Sequence, residues 1–213
     1  SLMAVIASHL ASLVDYSRLR EEAEGRARNL GLIHEVVQQV IGLTDVHQVA
    51  EISAELLARY FAYELAAVFI ADAQGVLTIG GFGGTSQNVV RRAMKSFEYP
   101  ISGGITGHVF ETGESLVVND VSQDSRYRSL HGWQAGSEMC VAIRDGAKVL
   151  GIIDVESRSS NAFTHNDFMA LESLAGILAS VITSADQYQR FQATIGELRS
   201  TQNELRDRME AQR

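Results

Sequence analysis

A single cysteine, Cys140, leaves this chain without the second thiol that an intrachain disulfide needs and without the cysteine sets of structural metal sites. A reducing, cytoplasmic setting is therefore expected. One proline among 213 residues argues against proline-rich linkers and tails. Excess positive charge is missing too: the formal net charge is −8 and the sequence pI is near 5.2. Phosphate backbones and anionic lipid would meet no long-range attraction, so neither nucleic acid nor membrane is an expected partner. The longest apolar stretch near the start, Leu2 to Val14, is broken by Ser8, His9 and Ser12 and is shorter than the roughly 20 residues of a spanning helix. It also lacks the basic start and small-residue cleavage site of a signal peptide. The chain opens Ser1-Leu2 with no initiator methionine, which leads us to expect a piece of a longer protein.

Chemistry-bearing motifs are sparse. "GGFGGTS" (80–86) and "SGGITG" (102–107) are glycine-dense, yet neither has the spacing of a triphosphate or dinucleotide loop, so they read as a hairpin exit and a helix start. Free N–H groups where the helix opens, Gly104 to Gly107, could still receive an anionic group. The six histidines are scattered without metal-binding spacing, and no metal is expected. Cys140 falls inside a predicted central strand, where a thiol serves as a small buried hydrophobe rather than a nucleophile. Asp120, Glu138 and Asp154 fall at predicted strand ends, where hydrogen-bonded structural roles are expected.

What the chain has in quantity is pattern. Residues 2–29 run at helical spacing into the charged "RLREEAEGRAR", a connector helix softened at Gly25. A second amphipathic piece spans Leu30 to Gly42, and a third helix, capped by Thr44 or Asp45, spans Val46 to about Phe61. "ELAAVFIADAQGVLTIGGF" reads as a β-hairpin turning at 72–75. Residues 86–96 predict a short helix, and "FEYPI" a strand. "GITGHVFETGESLVVNDV" predicts a short helix, a turn at Gly113 and a strand over 115–121. In "EMCVAIRDGAKVLGIIDVES" a two-residue turn at Asp145-Gly146 would pair Met139 with Ile152 and Ser137 with Asp154. Both strands are apolar on both faces, so they belong at the centre of a covered sheet.

A long helix starts near Thr164, which stands three residues before Asp167 in a capping arrangement. Positions 174, 177, 181, 184, 188, 191, 195, 198, 202, 205 and 209 form a three-four repeat that is apolar except at Ser184 and Gln202, the signature of a coiled-coil seam. Between the strands, "SQDSRYRSLHGWQAGS" gathers Tyr127, His131 and the only tryptophan, Trp133. Such aromatics suit either a concave small-molecule site or a lid over an empty apolar core.

Three segments in order, "GGITGHVFETGESLVVNDVSQDSRY", "GSEMCVAIRDGAKVLGIIDVES" and "NAFTHNDFMALESLAGILASVI", resemble the GAF family of cytoplasmic sensor modules over about residues 30–185. The resemblance implies an α+β fold. A central antiparallel sheet of about six strands carries the helices of both termini on one face and pocket loops on the other. Residues expected at the pocket are Phe97, Gly104, His108, Asp120, Tyr127, His131, Trp133, Ser137, Met139 and Asp154. The family's cyclic-nucleotide pattern is matched at Phe163 and Asp167, but Glu156-Ser157 stand where Asn-Lys would be and Phe168 replaces a Glu, so cyclic nucleotide is not expected. Cys140 lies in a strand rather than over the pocket, which disfavours bilin attachment. The members that reduce free methionine sulfoxide need more than one cysteine for their thiol relay. No cofactor and no enzymatic activity are therefore expected.

Segments 1–29 and 186–213 resemble the connectors that join such a module to its neighbours. The expected function is a sensory module that binds a small molecule or partner. It would signal through a homodimeric coiled coil to a covalently linked output domain such as a histidine kinase or diguanylate cyclase. The alternative is a ligand-free dimerisation spacer.

Overall fold

The fold was analysed in a computed structural model, which describes residues 2–61, 63–85, 103–129 and 133–211. Helix α1 (Leu2–Val40) is uninterrupted. The expected softening at Gly25 and fresh start at Leu30 do not occur. A lone glycine costs a helix about 1 kcal/mol against alanine but removes no hydrogen bond, so the ladder continues through it. Gly25 has open space around it, and Arg20 pairs with Glu24 at 2.7 Å one turn before. The C-terminal part of α1 is anchored: Leu32, Val36 and Val40 are fully buried. Helix α2 (Val46–Phe61) begins where the Asp45 carboxylate accepts the N–H groups of His47 (2.9 Å) and Gln48 (3.4 Å), satisfying two of its free donors. Glu35 of α1 accepts from both Tyr60 Oη and the Arg59 guanidinium of α2, tying the two helices together.

Five strands form one antiparallel sheet among the described residues: β1 (Leu65–Ala71), β2 (Leu77–Gly83), β3 (Leu116–Val118), β4 (Ser137–Asp145) and β5 (Lys148–Ser157), in the order β2-β1-β5-β4-β3. The helix expected over 86–96 and the strand "FEYPI" lie outside the described residues. Period-two alternation splits each central strand between two cores. Ala66, Val68, Met139, Val141, Ile143, Ile153 and Val155 face α1, α2 and the last helix. Leu65, Ala67, Phe69, Cys140, Ala142 and Ile152 face an outer cluster with Ile105, Val109 and Trp133.

The outer cluster is capped by helix α3 (Gly104–Thr112). This helix stops at Gly113, whose left-handed backbone (φ 70°, ψ 8°) returns an N–H to the Val109 carbonyl at 2.8 Å. The following strand covers only Leu116–Val118 rather than 115–121. Asp120 ends it by capping a 3₁₀ turn over Val121–Gln123. Helix α4 (His165–Ala211) starts with the predicted capping box: the Thr164 N–H and Oγ1–H both donate to Asp167 Oδ2, at 2.8 and 2.7 Å, and the Asp167 N–H donates back to Thr164 Oγ1 at 3.2 Å. By length and composition α4 could cross a membrane. Here, however, its apolar stripe of Leu171, Leu174, Leu178 and Ile182 is buried against the sheet.

The β4–β5 register differs from the expected one, and the difference matters below. The tight turn is centred one residue later, so that Asp145 pairs with Lys148, with Gly146 at positive φ (60°). A bulge between Ile143 and Arg144 then adds another step, so Cys140 pairs with Asp154, Met139 with Val155 and Ser137 with Ser157. The net slip against Met139–Ile152 is three residues. An odd slip exchanges faces.

The glycines of "GGFGG" serve helix–sheet approach rather than ligand binding. A Cβ on Gly81 would stand 2.3 Å from Glu51 Cα of α2. Gly81→Ala must therefore push α2 off β2, and should destabilise the protein by about 1–3 kcal/mol in urea unfolding.

Candidate functional site

Because the true register pairs Cys140 with Asp154, four acidic side chains meet on the outer face of β4 and β5. Glu138 and Cys140 project from β4, and Asp154 and Glu156 from β5, with Glu138 opposite Glu156 and Cys140 opposite Asp154. The carboxylates are only 4%, 4% and 6% exposed for Glu138, Asp154 and Glu156, and Cys140 is fully buried. The Cys140 thiol sits between two of them, with Sγ 3.2 Å from Glu138 Oε1 and 3.1 Å from Asp154 Oδ1. One ligand atom from each of Glu138, Cys140 and Asp154 lies within 4.8 Å of the others. Glu156 accepts the Trp133 indole N–H at 2.7 Å, and the Arg158 guanidinium stacks over that indole ring, 4.8 Å from its centroid. Above the thiol, Thr106 of the first α3 turn brings Oγ1 to 3.8 Å from Sγ.

Among the described residues these groups lack a counter-cation. Among the described residues no ion pair reaches Glu138, Asp154 or Glu156. Arg126 is committed to Asp124, with Nε and Nη2 at 2.9 and 2.6 Å from its two oxygens. Desolvation disfavours the charged form of each buried acid. It pushes Asp154 up to about 7 and, helped by the Asp154 charge, Glu156 up to about 8. Glu138 and the Cys140 thiol are also raised, first by burial and then by Asp154. The thiol is thereby held as a donor, away from the nucleophilic thiolate.

Next to the cluster, α3 begins at Gly104 behind Gly103, which offers no side-chain cap. The first ladder bond is Gly107 N–H to Gly103 O, so the N–H groups of Gly104, Ile105 and Thr106 have no partner within the helix. The start of α3, with its partial positive charge, thus lies beside the carboxylates, Thr106 Oγ1 standing 3.8 Å from the Cys140 Sγ between them.

The residues expected at the pocket are distributed as follows. Asp154 and Trp133 belong to the acid cluster and Gly104 to the α3 start. His108 is half-buried on α3, and Tyr127 supports the loop by accepting the Ala135 N–H at 2.7 Å. Asp120 is exposed and accepts from Ser122 N–H and Oγ–H, away from the cluster. Met139 is buried in the helix-side core, and Ser137, on the same face of β4, donates to the Ser159 carbonyl at 2.7 Å. Both sit on the opposite face from Asp154. Phe97 and His131 lie outside the described residues. Glu138, Cys140, Glu156 and Thr106 were missed. The alternation S-E-M-C with I-D-V-E was a usable signal, since it places Glu138 and Cys140 on one face of β4 and two acids on one face of β5, and the right register brings those faces together.

A family model described as GAF domain matches residues 45–182, most of the chain. The chain belongs to the GAF family, whose members are ligand-binding regulatory modules of signalling proteins. A probable 3′,5′-cyclic phosphodiesterase of Caenorhabditis elegans is 26% identical over 100 residues, covering 45% of this chain but 14% of that protein. The free methionine-R-sulfoxide reductase of Neisseria meningitidis, solved with its substrate, superposes with a TM-score of 0.64 at 20% identity, covering 75% of this chain and 91% of that one. The GAF domain of a phosphoenolpyruvate-protein phosphotransferase from Coxiella burnetii gives 0.66 at 17% identity, with 77% and 98% covered. These comparisons overturn the expectation that the chain is not an enzyme. Enzymes, the sulfoxide reductases among them, share its fold, and its curated relative carries an enzyme's name.

The cluster makes stability depend on pH. Carboxyls raised in the folded state keep protons that the unfolded chain releases near pH 4. Stability is therefore fullest below about pH 4 for these groups and is lost as pH rises toward 7 to 8, by up to about 1.4 kcal/mol per pH unit for each retained proton. Urea unfolding between about pH 5.5 and 8 should show this fall, and Asp154→Asn should flatten it.

Proposed function

We propose that this GAF module recognises a small amine-bearing molecule, best a free α-amino acid or its derivative, and relays occupancy through paired terminal helices to a linked output domain. The observation that carries the reading is the set of three buried carboxylates without a counter-cation among the described residues, beside a helix start whose first N–H groups have no partner within the helix. An ammonium would satisfy the first and a carboxylate the second, in one zwitterion. The sulfoxide reductase that shares the fold acts on a free amino acid of this kind, which supports the class of ligand. Chemistry at the ligand would have to involve Cys140, which lies within reach of Glu138, Asp154 and Thr106.

The relay rests on what α1 and α4 leave uncovered. Val37 and Ile41 of α1 with Ile177, Val181 and Ser184 of α4 line an apolar groove of about 470 Å³. The three-four repeat continues beyond it through Tyr188, Phe191 and Leu198, which are 49%, 62% and 64% exposed. A second copy laid alongside in parallel would cover groove and stripe together. Polar Ser184 and Gln202 keep the seam weak enough for two arrangements, and a histidine kinase or diguanylate cyclase would suit the distal end.

Calorimetry against L-methionine, its sulfoxide and the matched desamino acids tests the ligand class. The amines should bind and the desamino acids should not, and Asp154→Asn or Glu138→Gln should weaken binding at least tenfold. Equal binding of the desamino acids would remove the reading. Sedimentation of the chain with and without residues 187–213 tests the relay: a dimer that dissociates on truncation is expected, and a monomer in both cases contradicts it.

A further inference from the structure

We propose that the groove beneath the departing turns of α4 is a docking site for a partner protein, which inserts a basic segment carrying an apolar side chain. The groove lies on the helix side of the sheet, away from the acid cluster, and the inference stands apart from the ligand reading above. Its volume is about 510 Å³, and four elements meet around it: the cap of α2, the β1–β2 turn, the β4–β5 turn and α4 from Ile182 to Arg190.

Its floor is apolar. Ile70 and Ile182 are buried there, while Val46 and Leu150 are half-buried and pack against the helix-side core. Among the described residues Ala185 is the last buried position of α4. Beside the groove the helix is held by two polar ties: Thr183 Oγ1 donates to Asp145 Oδ2 at 3.1 Å, and Gln189 Nε2 donates to the Thr44 carbonyl at 2.7 Å.

Each of the four elements sets one carboxylate around this floor, Asp45, Asp72, Asp145 and Asp186. Of the groove's two permanent cations, Arg190 is paired with Asp186 at 2.9 Å, which leaves Lys148 among three carboxylates. The groove is thus negative on a chain whose net charge is already −8. Internal bonds hold the acids in place: Asp72 Oδ1 accepts the N–H groups of Gln74 and Val76 at 2.9 and 2.8 Å, and Asp45 caps α2. Less side-chain freedom is then lost on binding. A small-molecule site encloses most of its ligand. Here Asp45, Asp72, Asp145 and Lys148 are exposed around an apolar centre, which is the anatomy of a protein interface, and its charge selects a basic partner. A segment seated there bears on α4 where the helix leaves the domain.

The test titrates the full chain, by fluorescence anisotropy, with a short labelled peptide that carries leucine between lysines. The peptide should bind, and more weakly as salt rises; its counterpart with glutamate for lysine should not bind, and one with serine for leucine should bind less tightly. Asp72→Asn and Asp145→Asn keep the oxygens that accept the internal bonds and remove only charge. Each should weaken binding about threefold, and the pair about tenfold. Asp15→Asn makes the same charge change on α1 and should have no effect. Lys148→Gln should tighten binding, and Arg18→Gln on α1 should not. Equal effects of the groove and α1 variants would show diffuse attraction and overturn the proposal, as would no binding at all. Spermine binding at the groove without the peptide would assign it to a small cation, and self-association lost in Leu150→Asp would assign it to a second copy; either result overturns the proposal.

Discussion

Three carboxylates buried on one sheet face, with no counter-cation among the described residues, are the constraint on which the rest depends. Nothing in the helix-side core requires them: there, apolar residues from α1, α2, β4, β5 and α4 close on one another in the ordinary way. The outer face could have been closed by the same means. Instead the two central strands place Glu138, Asp154 and Glu156 around a thiol and under a tryptophan, at a cost in desolvation that no cation among the described residues offsets. Groups kept buried at such a cost are candidates for a functional site.

The site depends on register. The turn at Gly146-Ala147 and the bulge at Ile143/Arg144 move β5 by three residues relative to the simplest hairpin. An odd step brings Asp154 across from Cys140 and sends Met139 into the opposite core. A change at this turn, far from the cluster, would dismantle the site without touching any of its side chains. The turn also abuts the rest of the machinery. Arg144 and Val149 pack near Gly113 at the end of α3. Asp145 accepts the Thr183 hydroxyl of α4 at 3.1 Å, one residue from the seam position Ser184. The hairpin that carries the acids thus touches both the helix over the pocket and the helix that leaves the domain.

Much of the fold was legible because local rules and tertiary needs agreed. The Thr164–Asp167 box, the Asp45 cap, the Gly113 stop and the two-faced strands were each read from residue type and spacing and are each present. The site was less legible for identifiable reasons. Asp145-Gly146 is the stronger dipeptide signal, but the chain turns one residue later and bulges, and a bulge leaves no mark in periodicity. Glu138 was read as a strand end and stands one residue inside the start of β4, whereas Asp154, read the same way, lies within β5, which runs on to Ser157. Cys140 was correctly placed as buried. Its role as the donor between two carboxylates required the cross-strand partner, which only the register supplies. The expected pocket residues fared unevenly, since Trp133 of the aromatic loop is held by Glu156 while Asp120, read as a strand end, does end a strand and accepts only from Ser122.

The account turns on what the carboxylates meet when the pocket is occupied. The most direct measurement is a crystal structure of the chain grown with L-methionine. The amine nitrogen is predicted within hydrogen-bond distance, about 3 Å, of the Asp154 and Glu138 carboxylates, with the ligand carboxylate toward the α3 N-terminus. A ligand that turned its carboxylate or its thioether toward those acids, with the amine in solvent, would contradict it.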